Sequence, residues 1–211
     1  MDRTNLPKAL LFDFGGVLLN LDEEKTWNGL REILDPAKSG DVWELVFHPF
    51  ERGEISEDAF FNRLQRRSTT VLQGDLYVRI WNAMLLDLPE SRIAMLELLR
   101  DSFDLYLLSN TNITHLRKVR LMLEKKGLWT RFESCFKGMF FSHELRMRKP
   151  EERIYREVLE IIRMDARDCL FIDDKMENTQ AAQATGMQVY THDPLSEIGL
   201  VLPDLLASYK A

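Results

Sequence analysis

The feature that most constrains this chain is a short apolar run that ends in an acidic residue and two glycines. Ala9 to Phe12 are all apolar, and Asp13 follows at once. An uninterrupted apolar run of this length is typical of a strand buried on both faces of a sheet. Gly15 and Gly16 come next, and glycine lets a backbone approach a ligand closely. In an open parallel sheet, ligands bind beyond the carboxyl ends of the strands, so we expect Asp13 there as a nucleophile, a metal ligand or a simple turn residue.

Two further apolar runs end in polar residues in the same way. Ser109 and Asn110 follow the run LYLL, Asp173 and Asp174 follow the run CLFI, and Lys149 directly precedes a predicted helix. In a parallel sheet these residues would meet at one edge. Carboxylates suit Mg²⁺, which prefers oxygen ligands, whereas a hydroxyl, backbone N–H groups and an ammonium suit an anion. Such a set favours phosphoryl transfer, in which positioning and charge stabilisation dominate catalysis.

Each of these residues also has a structural interpretation. Asp174 precedes a helix and would serve as its N-cap, Ser109 would be a turn residue at a strand end, and Lys149 an ordinary solvated lysine. Taken singly, these interpretations are at least as good as the functional ones. Three apolar strands that all end in complementary polar groups favour the functional interpretation of the whole set.

The rest of the chain alternates helices and strands, apart from one long helical interval. This alternation predicts an α/β fold with a Rossmann-like parallel sheet. No strand pattern occurs from Asp22 to Leu86, an interval too long for a simple crossover, which indicates an inserted small all-helical domain. We therefore predict a catalytic core over residues 1–18 and 88–211 and a helical domain over residues 19–87. The predicted helices include Glu23 to Leu34, Asp41 to Phe47, Glu57 to Arg67, Asp75 to Leu86, Ser91 to Arg100 and Glu151 to Arg163, with a turn over His48 to Gly53.

Charge and composition exclude several kinds of partner. The net charge is −6 and no run of Lys or Arg dominates any segment, so we expect neither nucleic acid nor a membrane as a partner. The amino-terminal segment MDRTNLPKALLFDF has too short an apolar run for a signal peptide, and no segment is apolar enough to span a bilayer. Cys135 and Cys169 lack metal-type spacing, and we expect reduced thiols in a cytoplasmic protein.

Four segments together resemble a known superfamily. DFGGVL, LSNTN, RMRKP and FIDDKMEN, in this order and at these separations, resemble the four motifs of the haloacid dehalogenase superfamily. The resemblance covers nearly the whole chain, and the helical insert resembles the small cap of that superfamily. ERGEIS and RKPEERIY further resemble the α-D-glucose-1-phosphate phosphatase branch, close to the phosphatase domains of soluble epoxide hydrolases. The resemblance implies a Mg²⁺-dependent phosphatase that acts on a small phosphorylated substrate, with a sugar phosphate such as glucose 1-phosphate as the expected one.

The resemblance also implies a role for each polar cluster. It makes Asp13 the nucleophile that forms an aspartyl-phosphate intermediate. The other implied roles are metal binding by the Gly15 carbonyl, by Asp174 and, directly or through water, by Asp173; phosphoryl binding by Ser109, the Asn110 amide and Lys149; and bracing of the loop by Asn178.

One position departs from the superfamily pattern. Typical members carry a second aspartate two positions after the nucleophile, where this chain has Gly15. That aspartate acts as a general acid and base, a form of catalysis worth roughly 10²–10⁴ in rate. We expect His48 or Glu51 to replace it or to bind a sugar, the alternative being that His48 only caps a helix or hydrogen-bonds within the insert.

Two other functions compete with a phosphatase. A hydrolytic dehalogenase needs no metal, and the resemblance would then require tyrosine in place of Gly15. A catalytically weak protein that binds phosphate as a sensor or scaffold is the other alternative, and only Gly15 favours it. The acidic pair Asp173-Asp174, together with Asp13 and Lys149, favours the phosphatase.

Overall fold

A sheet of parallel strands forms the centre of the molecule. The structure is a computed structural model that describes residues 6–209 of the 211-residue chain. Residues 1–5 lie outside the described residues. They belong to the amino-terminal segment whose apolar run is too short for a signal peptide. The strands are β1 (Ala9–Phe12), β2 (Asp104–Ser109), β3 (Gly138–Phe141), β4 (Cys169–Asp173) and β5 (Gln188–Thr191). Their order in the sheet is β3-β2-β1-β4-β5, and every neighbouring pair is parallel.

The central position of β1 explains its apolar sequence. All four of its residues are buried, and Leu10 lies opposite Leu105 of β2 and Leu170 of β4. Because the strands all run in one direction, their carboxyl ends lie at the same edge of the sheet. That edge carries the polar residues that follow or end β1, β2 and β4. The predicted α/β class with a Rossmann-like parallel sheet is confirmed.

Helices cover both faces of this sheet. Side chains of a strand alternate between its two faces, so Leu10 and Phe12 of β1 enter one hydrophobic cluster whereas Ala9 and Leu11 enter another. The α-helices are α1 (Glu23–Ile33), α2 (His48–Glu51), α3 (Glu57–Arg67), α4 (Gly74–Trp81), α5 (Glu90–Leu99), α6 (Ile113–Lys125), α7 (Trp129–Glu133), α8 (Ser142–Leu145), α9 (Glu152–Ile162), α10 (Met176–Ala184) and α11 (Ile198–Ser208). Helices α5, α6, α7 and α11 contribute to the Leu10 cluster, and α9 and α10 to the Leu11 cluster.

The helical insert has a hydrophobic cluster of its own. Leu30, Phe47, Phe60 and Trp81 are its central members, and every buried member lies between residues 30 and 81. Aromatic rings dominate it: Phe60 stacks on Phe50 with ring centroids 4.1 Å apart. The division into a core of residues 1–18 and 88–211 and a helical domain of residues 19–87 remains a proposal, which this separate cluster supports.

Most predicted helices begin and end within a few residues of the observed ones, but the turn predicted over His48 to Gly53 is wrong for His48 to Glu51, which form α2, and right for Arg52 and Gly53. A π-helix over Trp43–Phe47 continues directly into α2, so His48 is helical. Pro49 lies in the first turn of α2 and donates no backbone hydrogen bond to the π-helix before it. The helix predicted to reach Leu86 ends as α4, and a 3₁₀ turn over Asn82–Met84 follows.

The carboxyl-terminal helix α11 was not predicted. Pro203 lies inside it and conceals the pattern, since proline usually ends a helix. Ile198, Leu202 and Leu206 recur at every fourth position and are buried against the sheet, and this burial outweighs the proline. Cys135 and Cys169 are buried, unpaired thiols, as predicted. Between residues 6 and 209, no helix is both long enough and apolar enough to cross a membrane.

The aromatic cluster of the insert makes a testable contribution to stability. Phe60→Ala should lower the free energy of unfolding by about 3–5 kcal/mol, because Phe60 is fully buried and its removal leaves a cavity. Urea denaturation followed by circular dichroism measures this loss. Val71→Ala is the control, since Val71 is 80% exposed and its truncation should change stability by no more than about 0.5 kcal/mol. Equal effects of the two substitutions would contradict the assignment of Phe60 to a packed core.

Candidate active site

The sheet brings three of the predicted residues to one edge. Asp13 directly follows β1, and its N–H donates to the carbonyl of Ile172 in β4 at 2.8 Å. Ser109 is the last residue of β2 and Asp173 the last of β4. All three are buried. The backbone ladders of the sheet therefore fix the positions of these side chains.

The Lys149 ammonium lies between two of the carboxylates. Its Nζ donates to Asp13 Oδ1 at 2.7 Å, to Asp173 Oδ2 at 2.6 Å and to the carbonyl of Leu108 at 3.0 Å. Lys149 is 1% exposed. Burial alone would lower the pKa of Lys149, but the carboxylates of Asp13 and Asp173 outweigh it and raise that pKa above its ordinary value. Lys149 is therefore a fixed, charged group, which excludes the interpretation as an ordinary solvated lysine.

Asn110 holds the backbone of Lys149. Its Nδ2 donates to the Lys149 carbonyl at 2.8 Å, and its Oδ1 accepts from the Lys149 N–H at 2.8 Å. Two reciprocal hydrogen bonds link the loop after β2 to the segment before α9. The side chain of Asn110 is thus a brace for Lys149, and the phosphoryl-binding role expected of its backbone N–H remains a prediction.

Asn178 and the start of α10 hold Asp173. Asn178 Nδ2 donates to Asp173 Oδ1 at 2.9 Å and to Oδ2 at 3.1 Å, while the Lys175 N–H donates to Oδ1 at 2.8 Å. Tyr155 in turn donates its hydroxyl to the Asn178 carbonyl at 2.9 Å. Asn178 lies where a loop-bracing residue would be. Both oxygens of Asp173 therefore accept hydrogen bonds, which fixes the orientation of this carboxylate.

Asp174 has an oxygen with no partner within the described residues. Its Oδ1 is buried and accepts no hydrogen bond from residues 6–209, although buried polar atoms are nearly always hydrogen-bonded. A Cβ built on Gly16 would lie 2.5 Å from Asp174 Oδ2, and Gly16 has a φ of +78°. Glycine is needed at this position both for the conformation and for the close approach. Asp174 is therefore directed at the loop after β1, and it does not cap α10, whose N-cap is Lys175.

The three aspartates form a group that fits a divalent cation. Asp13, Asp173 and Asp174 each offer an oxygen, and these oxygens lie within 4.8 Å of one another. When all three are ionised, these carboxylates carry more charge than the two ammonium groups that act on them, those of Lys149 and Lys175. Burial raises the pKa of Asp13 to about 7; the Lys149 ammonium opposes this rise, and the Asp173 and Asp174 carboxylates add to it. A bound cation would lower that pKa again and keep Asp13 ionised. The donor set, all oxygen, is the one that Mg²⁺ prefers.

The space beside Gly15 is filled by Leu21. A Cβ on Gly15 would lie 2.5 Å from Leu21 Cδ1, so an acidic side chain at position 15 would meet a leucine methyl group. Leu21 follows a short loop that doubles back, with the Gly16 N–H donating to the Leu19 carbonyl at 2.9 Å. The chain thus lacks the second aspartate at position 15, and the apolar side chain of Leu21 lies where that carboxylate would be.

A cavity of about 180 Å³ opens between the polar edge of the sheet and the helical insert. Glu51 lies in its wall, where its carboxylate accepts from Arg148 Nε at 3.0 Å. His48 is not among the residues that line it. The ring of His48 instead lies near Trp43, and its Nδ1 lies 3.5 Å from Glu44 Oε1. The structure therefore brings Glu51 to the site but not His48, which agrees with the alternative of a role within the insert.

His115 lines the cavity and was not predicted as a site residue. The ring of His115 stacks on Trp81 with centroids 4.9 Å apart, and its Nε2 lies 2.9 Å from the Trp81 carbonyl. Because a carbonyl only accepts, Nε2 carries the proton. Burial lowers the pKa of His115 to about 4, so the ring is neutral at pH 7. In the sequence, His115 lies on the same face of α6 as the buried Val119, and this spacing indicates that His115 is buried too. Its partner Trp81 in the insert is distant in sequence, so no local pattern predicts their contact.

This geometry agrees with comparisons against known proteins. A family model described as haloacid dehalogenase-like hydrolase matches residues 7–186. The chain belongs to this family. Within the family, it is 31% identical over 210 residues to the sesquiterpene phosphatase astK of Aspergillus oryzae, covering 95% of this chain and 92% of that protein.

Two more haloacid dehalogenase-like relatives are similar over most of their length. The chain is 24% identical over 190 residues to a D-ribitol-5-phosphate phosphatase of Bacteroides thetaiotaomicron, covering 87% of this chain and 90% of that protein. A solved structure of a family enzyme from the same organism, in complex with magnesium and inorganic phosphate, has a TM-score of 0.78 and 28% identity. The similarity covers 92% of this chain and 98% of that one. The predicted superfamily is confirmed.

The neutral, buried His115 predicts a loss of stability in acid. Its folded-state pKa of about 4 lies below the unfolded value of 6.5, so the unfolded chain binds a proton between these pH values and the folded chain does not. From pH 7 to pH 4.5 this difference should cost about 2–3 kcal/mol of unfolding free energy. His115→Gln keeps an N–H for the Trp81 carbonyl and does not titrate. Urea denaturation at both pH values should show a loss that is smaller in the variant by that amount, and equal losses would contradict the assignment.

Proposed function

We propose that this hydrolase is a Mg²⁺-dependent phosphatase that cleaves a small phosphate monoester through an aspartyl-phosphate on Asp13. The observation that carries the proposal is the buried Lys149 ammonium, 2.7 Å from Asp13 and 2.6 Å from Asp173. A fixed positive charge beside a carboxylate at a sheet edge suits a reaction in which negative charge on phosphoryl oxygens must be neutralised. The relatives named as phosphatases, and the similar enzyme that binds magnesium and phosphate, support the same reaction.

In the proposed first step, a carboxylate oxygen of Asp13 attacks phosphorus. A bond forms between Asp13 and phosphorus, and the bond between phosphorus and the leaving oxygen breaks. Lys149 neutralises charge on both the attacking carboxylate and the phosphoryl group, while the Ser109 hydroxyl and the Asn110 N–H hold phosphoryl oxygens. Water then hydrolyses the aspartyl-phosphate, which releases inorganic phosphate and restores Asp13.

Magnesium would be held by Asp13, Asp174 and the Gly15 carbonyl, with Asp173 in contact directly or through water. The unpartnered Oδ1 of Asp174 and the unbalanced charge of the aspartate group support this set. When bound, the ion supplies Lewis-acid stabilisation of the transferring phosphoryl group. Phosphoryl binding by the chain itself depends on Lys149 and Ser109.

The leaving alcohol receives its proton without an aspartate at position 15. Leu21 occupies that space, His48 lies outside the cavity, and Glu51 is engaged by Arg148. We therefore assign protonation of the leaving group to water, so rates should be highest for leaving groups that need little protonation. This expectation separates the chain from superfamily members that carry the second aspartate.

The leaving group of the substrate is a further part of the proposal. The sequence resemblance suggests a sugar phosphate such as glucose 1-phosphate, and the ribitol-5-phosphate relative supports a polyol, but the sesquiterpene phosphatase relative supports a hydrocarbon substrate instead. The names of the relatives do not decide between them. A cytoplasmic location and the absence of nucleic-acid or membrane partners remain proposals from the sequence. A dehalogenase needs no metal, so the acidic group around Asp174 would have no function in it.

Replacement of the nucleophile tests the proposal. Asp13→Asn should reduce Mg²⁺-dependent phosphate release from acetyl phosphate and p-nitrophenyl phosphate on the order of 10³-fold or more, because the amide does not attack phosphorus. The matched control is Asp168→Asn: Asp168 precedes the opposite end of β4 and pairs with Lys8 at 2.7 Å. Turnover that survives in the Asp13 variant, or halide release from 2-haloacids without metal, would refute the proposal. Phosphate binding without any turnover in the wild type would instead support a sensor.

A second substitution tests the role of the leaving group. Gly15→Asp combined with Leu21→Ala places a carboxylate two positions after Asp13 and removes the methyl group it would meet. Phosphate release from butyl phosphate should rise on the order of 10²-fold, whereas p-nitrophenyl phosphate should change little because nitrophenolate departs without a proton. Leu21→Ala alone is the control. An equal change for both substrates would show that the new acid does not act on the leaving group.

A further inference from the structure

Part of the cavity wall is apolar. It is formed by Leu21 from the loop after β1, by Trp27, Trp43 and Trp81 from the helical insert, and by Leu116 from α6. A leaving group attached to a phosphate at Asp13 faces these side chains. The wall therefore offers hydrocarbon and aromatic surface to the part of the substrate that distinguishes one phosphate ester from another.

Three polar side chains in the same wall already have partners within the protein. Glu51 accepts from Arg148 at 3.0 Å, Glu23 lies 3.3 Å from Lys175, and His115 uses Nε2 on a backbone carbonyl. A sugar or polyol would enter with several hydroxyl groups and need new partners for them. Each buried hydroxyl without a partner reduces affinity roughly 10- to 100-fold. The wall thus disfavours a polyhydroxylated leaving group.

A second cavity, mostly apolar, lies next to the first and shares two of its lining residues. It has a volume of about 550 Å³, and Leu30, Leu34 and Val42 of the insert contribute to its lining. Trp27 and Trp43 line both cavities, and their ring centroids are 4.9 Å apart. These two rings therefore stand at the junction between the phosphate site and a further apolar space.

We infer that the substrate is the phosphate monoester of a long hydrocarbon alcohol, with its chain on the apolar wall and its far end at the Trp27–Trp43 junction. The inference rests on the proposed function, since it names the leaving group of that reaction. The ester oxygen leaves phosphorus as Asp13 bonds to it, and the alcohol takes its proton from water. A second water then converts the aspartyl-phosphate to inorganic phosphate. Burial of hydrocarbon supplies the discrimination that the paired polar groups do not.

A series of n-alkyl phosphates tests the inference. With Mg²⁺ and below micelle-forming concentrations, kcat/KM should rise about threefold for each added methylene from butyl to decyl phosphate, as expected for apolar burial. Glucose 1-phosphate and ribitol 5-phosphate should be poorer substrates than octyl phosphate. A flat chain-length profile, or a preference for either polyol phosphate, would overturn the inference.

Acetyl phosphate separates this result from a failure of the proposed function. Its leaving group is too small to need the apolar wall, so its Mg²⁺-dependent turnover reports only the chemistry at Asp13. Turnover of acetyl phosphate without a gain from chain length would overturn the hydrocarbon substrate and leave the phosphatase in place. Absence of turnover with acetyl phosphate and every alkyl phosphate would overturn both.

A matched pair of substitutions tests the junction itself. Trp43→Glu places a charge at the boundary of the two cavities, and the ratio of kcat/KM for decyl phosphate to that for acetyl phosphate should fall at least about 30-fold. Leu45→Glu is the control: Leu45 belongs to the same π-helix and is 47% exposed, against 46% for Trp43, but it lines neither cavity. An unchanged ratio in the Trp43 variant, or an equal fall in both variants, would contradict the position of the chain.

Discussion

The ammonium of Lys149 is the charge on which the rest of the site depends. Two buried carboxylates and one half-buried carboxylate meet at one sheet edge, and removal of a partner from such a group leaves uncompensated charge that costs several kcal/mol. Lys149 contacts two of them directly, and it is held by the Leu108 carbonyl and by the side chain of Asn110. The parallel order of the sheet places these groups together, because β1 lies between β2 and β4 and all three strands end on the same side.

In our account, the groups at this sheet edge carry out the phosphoryl transfer, and the residues on the other side of the cavity determine which substrate binds. Carboxylates, lysine and a strand-end serine can stabilise any transferring phosphoryl group. What differs in this chain is the other side of the cavity, where Leu21 occupies the place of an acid and tryptophans from the helical insert form the wall. The position of Leu21 accounts both for the missing acid and for part of the apolar wall. In our account, binding energy from the hydrocarbon chain compensates for weaker assistance to the leaving group.

The sequence was most informative where one local rule decides the structure. Apolar runs that end in Asp13, Ser109 and Asp173 predicted the strands, their direction and the shared edge. The carboxyl ends of parallel strands lie at one edge of the sheet, so the strand predictions alone place these three residues there. It was least informative where distant contacts decide. His48 stands in a plausible catalytic turn in the sequence, yet Pro49 is accommodated in a helix and the ring lies near Trp43, away from the cavity. The partnership of His115 with Trp81 joins two helices whose packing no local pattern records.

The substrate, too, depends on contacts between residues that are distant in sequence. The motif that resembles a glucose-1-phosphatase branch lies around Glu51, which the structure pairs with Arg148, whereas the residues that line most of the apolar wall are tryptophans and leucines with a core-like pattern. In the sequence, such residues are indistinguishable from those that fill the hydrophobic cluster of the insert. Only the relative placement of the insert and the sheet edge separates the two groups.

The central claim is a covalent bond between phosphorus and the first carboxylate of the chain, and chemical trapping tests it most directly. Protein turning over acetyl phosphate with Mg²⁺ would be quenched with borohydride, which reduces an acyl-phosphate to an alcohol, and the peptide that begins at Ala9 would be sequenced by mass spectrometry. We predict conversion of Asp13 to homoserine, dependent on both substrate and metal. Unmodified Asp13 during turnover, or reduction at Asp22 or Glu23 of the same peptide instead, would contradict the account.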